Sequence, residues 1–105
     1  MDLLNSENVQ MLVKALSCID SEEDCKAFLE DLLTAQELVE IAQRFKVAEM
    51  LVRKRTYEEI ARSTGASTAT ISRVNRCIRF GDGGYQRILD RVFPPEGNRQ
   101  PAKTT

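Results

Sequence analysis

The side chains best placed to do chemistry in this chain are hydroxyls and arginines gathered in one short stretch: Ser67, Thr68, Thr70, Ser72, Arg73 and Arg76. They do not form a catalytic set. The chain has no histidine and no Ser/Cys–base arrangement to activate a nucleophile, so an enzyme is not expected. The same residue types are suited to reading the edges of base pairs. Arginine pairs with guanine O6 and N7, while alanine and the threonine methyl suit the methyl of thymine. Thr68, Ala69, Ser72, Arg73 and Arg76 are therefore expected to face bases. Arg53, Lys54, Arg55, Arg62 and Ser67 are expected to contact phosphates, which fix register without reading sequence.

Two short helices must hold these groups. Thr56 can cap the first, with Glu59 three residues on completing a capping box. Ile60 and Ala61 face inward, and Ala61 is small enough for a second helix to cross closely. Gly65 stands where the chain turns sharply, a position that often needs φ > 0. Ser67 can cap the second helix, whose buried stripe is Ile71, Val74 and Ile78. The spacing is that of a helix-turn-helix over about residues 57–79, whose second helix enters a major groove. Glu58 and Glu59 repel phosphate, so the first helix must tilt away or Glu59 must be held in its cap.

Charge supports this placement. The net charge is −1, but residues 1–40 carry ten acids against two bases, and residues 41–105 carry thirteen bases against six acids. The basic part coincides with the helix pair. Such asymmetry points to a part that faces nucleic acid and a part that faces elsewhere. Cys18, Cys25 and Cys77 are too few for a zinc site without histidine, so no metal or other cofactor is expected. They read as reduced thiols, mostly buried; a Cys18–Cys25 bridge is the other option. No run is long enough to span a membrane and no signal peptide opens the chain, so a cytoplasmic location is expected.

The remaining apolar pattern is helical. Val9, Leu12, Val13 and Leu16 mark a helix from about Ser6 to Ile19. Ser21 opens another, with Cys25, Phe28, Leu29 and Leu32 inward. Thr34 and Glu37 form a capping box for the longest helix, which runs to about Lys54. That helix is apolar on two sides. Leu38, Ile41, Ala42, Phe45, Ala48, Leu51 and Val52 line one, and Val39, Val47 and Met50 the other. Two covered faces in so short a chain point to a second subunit. A last helix carries Tyr85, Ile88, Leu89 and Val92 before Phe93-Pro-Pro95 stops it. Residues 1–95 are read as one helical domain and residues 96–105 as a disordered tail.

The segments Leu33-Thr-Ala-Gln-Glu37 and Ala69-Thr-Ile-Ser-Arg73 resemble those of the Trp repressor superfamily. Val74-Asn-Arg-Cys77 and the Gly83-Gly-Tyr85 loop are more similar to its YerC/YecD-type branch. The resemblance covers about Leu33 to Val92 and implies an all-α, six-helix subunit in an interlaced homodimer bound to double-stranded DNA. Trp repressor is itself one of the proteins that define this helix-turn-helix docking geometry. In that protein tryptophan lies between two arginines, which correspond to Arg44 and Arg73, and two threonines correspond to Thr34 and Thr70. The resemblance thus implies an effector pocket of Thr34, Arg44, Thr70, Arg73, Val74 and Cys77. Val74 stands where Trp repressor has glycine, and Cys77 where it has serine, a better hydrogen-bond partner. The chain is also one residue shorter between the long helix and the helix-turn-helix. Val74 is expected to narrow or fill the slot, so tryptophan is not expected as corepressor. The reading is a homodimeric DNA-binding transcriptional regulator, a repressor by family. The alternative is a protein-interaction module using the helix-turn-helix and the acidic N-terminal half.

Overall fold

The computed structural model describes residues 3–94. Among them are six α-helices and no strand: α1 Glu7–Ser17, α2 Glu22–Leu32, α3 Ala35–Val52, α4 Tyr57–Thr64, α5 Thr68–Phe80 and α6 Gly84–Val92. A 3-10 turn at Leu3–Asn5 precedes them. The chain groups into two compact units, Met1–Leu38 and Val39–Thr105. The tail expected at 96–105 lies outside the described residues.

In the N-terminal unit each helix start is set by one hydroxyl. Ser6 accepts the N–H of Val9 at 3.3 Å and Ser21 that of Asp24 at 3.0 Å. Both satisfy a backbone donor that the first helical turn leaves without a partner. Thr34 and Glu37 make the reciprocal pair of hydrogen bonds at 2.9 and 3.1 Å that opens α3. Neither α1 nor α2 contains a buried residue. Met11 is 69% exposed, and Leu12, Val13 and Leu16 are exposed beside it. The apolar stripe of α1 is thus formed but uncovered.

The second unit has a core of Val47, Ala48, Ile60, Ala66, Ile71, Val74 and Leu89, contributed by α3, α4, the turn after α4, α5 and α6. Phe45, Met50, Leu51, Val52, Ala61, Ile78 and Tyr85 pack around it. Only the C-terminal half of α3 is covered. Val39 and Ile41 are exposed, as is Ala42. The inward placement expected for Ile41 and Ala42 is therefore not seen, because the helices that pack on α3 reach only its later turns. The thiols also differ from expectation. All three are free, with Cys18 and Cys77 exposed and Cys25 half-buried. Cys18 is the C-cap of α1, and Cys77 lies off the Ile71–Val74 stripe of α5.

The end of α3 positions the basic residues. The N–H of Lys54 donates to Leu51 O at 2.9 Å and that of Arg55 to Met50 O at 3.0 Å. This crossed pair is a Schellman stop, whose turning residue takes left-handed φ/ψ and is usually glycine. Here it is Lys54, with φ 66°, at a cost of about 1 kcal/mol or more. One turn earlier Glu49 is buried and ion-paired to Lys46 at 2.9 Å and to Arg53.

Candidate nucleic-acid interface

The helix-turn-helix is assembled by local hydrogen bonds. The hydroxyl of Thr56 accepts the N–H of Glu59 at 3.1 Å, and Glu59 Oε1 accepts the N–H of Thr56 at 2.9 Å. This box holds the Glu59 carboxyl below its ordinary value. The hydrogen bond from the Thr56 backbone contributes most, with Arg55 and Arg62 adding attraction through space. Glu59 is thus engaged in its cap. Gly65 ends α4 at φ 75°, and no atom lies where its Cβ would project, so only the backbone demands glycine there. Thr64 accepts the N–H of Ala66 at 3.1 Å and donates to Ile60 O at 2.7 Å. Gln43 Nε2 donates to Thr64 O at 3.1 Å and so ties the turn to α3. Ser67 then caps α5 by accepting the N–H of Thr70 at 3.1 Å.

α5 divides sharply by face. Ile71 is 0% exposed and Val74 1%. Thr68, Ala69, Arg73 and Arg76 are exposed, and Ser72 is half-buried. The helix carries three arginines, Arg73, Arg76 and Arg79, and no carboxylate. At about 100° per residue, Ser72, Arg76 and Arg79 share one flank while Thr70, Arg73 and Cys77 share the other. Around the helix Arg73 falls about 40° from Ala69 and about 60° from Arg76, so the five residues expected to face bases share one broad face, with Arg73 at its α3 edge.

There Arg73 meets Arg44 and Thr70 across a hollow of about 330 Å³, whose other lining residues are Glu40 and Gln43. Arg44, Thr70 and Arg73 are thus brought together. Val74 is not among the lining residues. It lies some 100° round the helix from Arg73, in the core with Ile71, so the expectation that it fills this slot is corrected. Cys77 lines a different, mainly apolar hollow with Phe45, Tyr85 and Ile88. Thr34 is occupied in the cap of α3. Glu40 was not anticipated, although its spacing four residues before Arg44 was the available signal.

The expected phosphate contacts also separate. Lys54, Arg55, Arg62 and Ser67 are exposed. Arg53 is ion-paired to Glu49, and its guanidinium lies 5.6 Å from the ring centroid of Phe93. That places it in a structural contact. No helix among the described residues is long and apolar enough to cross a membrane.

Residues 7–93 match the family model of the Trp repressor protein. The chain is 42% identical over 95 residues to the uncharacterized protein YerC of Bacillus subtilis (strain 168), covering 90% of this chain and 91% of that one. Among solved structures, a TrpR-like protein from Eubacterium eligens ATCC 27750 superposes with a TM-score of 0.83 at 42% identity, covering 91% of this chain and 99% of that one. A candidate Trp repressor from Staphylococcus aureus gives 0.79 at 39% identity, with 85% and 89% covered.

Proposed function

The chain belongs to the Trp repressor family, and from that premise we propose that it is a DNA-binding transcriptional regulator, a repressor, acting as a homodimer. The observation that carries this reading is α5 itself. It is capped by Ser67, anchored by fully buried Ile71 and Val74, and presents Thr68, Ala69, Ser72 and Arg76 on a flank without a carboxylate. Such a helix fits a major groove, and Lys54, Arg55 and Arg62 supply cations for the flanking phosphates.

Uncovered apolar surface supports the homodimer. Met11, Leu12 and Leu16 of α1 and Val39 and Ile41 of α3 are exposed. A second copy covers such surface, and a two-fold dimer places two recognition helices about one helical turn of DNA apart. Binding proceeds without L-tryptophan. The hollow between Arg44 and Arg73 has only polar and charged lining residues, one of them the carboxylate Glu40. The two guanidinium groups attract a ligand carboxylate, but no apolar side chain among the lining residues closes on an indole. The test is selection of bound sequences from random duplex DNA, with and without L-tryptophan. A two-fold symmetric site recovered equally in both arms is expected. Failure to enrich any sequence removes the regulatory reading, and enrichment only with tryptophan removes the effector-independent one.

A further inference from the structure

A second hollow, of about 650 Å³, opens between the end of α3, the flank of α5 and α6. Lys54, Arg55, Asn75, Arg79 and Gln86 supply its polar lining, and no carboxylate lines it. Gln86 gives one amide N–H to Asp90 at 3.0 Å, and Lys54, Arg55, Asn75 and Arg79 are the other donors of the lining. Among the described residues neither Lys54 nor Arg79 has a carboxylate in ion-pair range, whereas Lys46 and Arg53 both do. Lys54 adds an independent observation. It occupies the left-handed position of the α3 stop with φ 66°, where glycine is the unstrained choice. The Schellman turn accounts for the left-handed backbone, and a lysine at that position places an ammonium at a carboxylate-free hollow.

We propose that this hollow is a phosphate seat, in which Lys54, Arg55, Arg79 and Asn75 hold one phosphate of the duplex backbone. Two guanidinium groups, an ammonium and an amide match the acceptor oxygens of a phosphate. Arg79 lies one turn from Arg76 on the flank that carries Ser72, so the seat is continuous with the base-facing surface. That continuity favours a backbone phosphate over a free anion. The assignment rests on the regulatory reading above and adds Asn75 and Arg79 to its contacts.

The test uses the full chain and compares Arg79→Ala, Lys54→Gly and Arg76→Ala with the parent. Anisotropy is measured across a salt series on a selected duplex and a scrambled one. Arg79→Ala and Lys54→Gly are expected to weaken both duplexes by the same factor. Each flattens the log–log salt slope by up to about 0.9 per phosphate released. Arg76→Ala instead narrows the ratio between the two duplexes. Lys54→Gly is also expected to raise Tm, because glycine relieves the left-handed strain; a purely structural lysine has the opposite effect. A parallel arm compares the Tm of parent and Arg79→Ala in inorganic phosphate and in chloride at equal ionic strength. A phosphate-specific rise lost in Arg79→Ala, with unchanged duplex slopes, assigns the seat to free phosphate. Unchanged slopes with no phosphate-specific rise overturn it. If the parent binds no duplex the regulatory reading falls, and the phosphate arm alone decides the seat.

Discussion

Arg73 and Arg76 are three residues apart on one helix, yet the structure gives them different surroundings. Arg76 stays with Ser72 on the exposed flank, whereas Arg73 lines the hollow with Arg44 and Thr70. Arg76→Ala is therefore expected to lower discrimination between a selected duplex and a single-base mismatch by about 1–3 kcal/mol. Equal discrimination by parent and variant contradicts the base-facing assignment of Arg76. Glu59 permits a second test. Its carboxyl is held below the ordinary 4.5 mainly by the Thr56 backbone hydrogen bond. A depressed folded value means that the cap stabilises above the unfolded value and that this contribution is lost as pH falls through the folded value. Thermal melts of the parent and Glu59→Gln are expected to differ at neutral pH and to converge in acid. A gap that is constant with pH removes ionised Glu59 from the cap.

At the scale of the element, the two helices of the binding motif depend on their boundaries. Gly65 at φ 75° has open space around its missing Cβ, so Gly65→Ala carries a backbone cost only, about 1–2 kcal/mol. Ser67→Ala removes the acceptor for the Thr70 N–H and is expected to cost about 1 kcal/mol. Chemical denaturation measures both, and a neutral Gly65→Ala contradicts the left-handed turn. These boundaries were legible in the sequence because each is settled within four residues: Thr34 with Glu37, Thr56 with Glu59, Gly65, and Ser67 with Thr70. What was not legible depends on neighbours distant in the chain. The two-sided pattern of α3 does not say which turns its partners cover, so Ile41 and Ala42 were expected inside and lie exposed. Val74 was assigned both to the buried stripe and to the effector slot, and only packing against Ile60 and Ile71 decides for the core. Lys54 gave no sign of its left-handed backbone, since lysine is not a usual turn residue at that position. Asn75 and Arg79 carry no local signal, because the hollow that unites them with Lys54 draws on three separated elements.

For the whole molecule, the second unit has a small core, and the helices of the N-terminal unit have no buried residue. A homodimer that buries Met11, Leu16 and Ile41 is expected to make stability depend on protein concentration, with folding and association lost together on dilution. Sedimentation velocity showing a folded monomer at micromolar concentration contradicts that assembly. The same architecture keeps the acidic N-terminal half apart in sequence from the basic recognition surface, as a duplex-binding protein of nearly neutral net charge requires. The central claim is that this surface holds duplex DNA through α5 and its flanking cations. Its most direct measure is the salt dependence of binding to a selected duplex. The expected result is an affinity that falls steeply and linearly in log–log form as salt rises, with the selected duplex tighter than a scrambled one throughout. An affinity indifferent to salt, or no duplex binding at any salt, contradicts the claim and points instead to a surface that docks on protein.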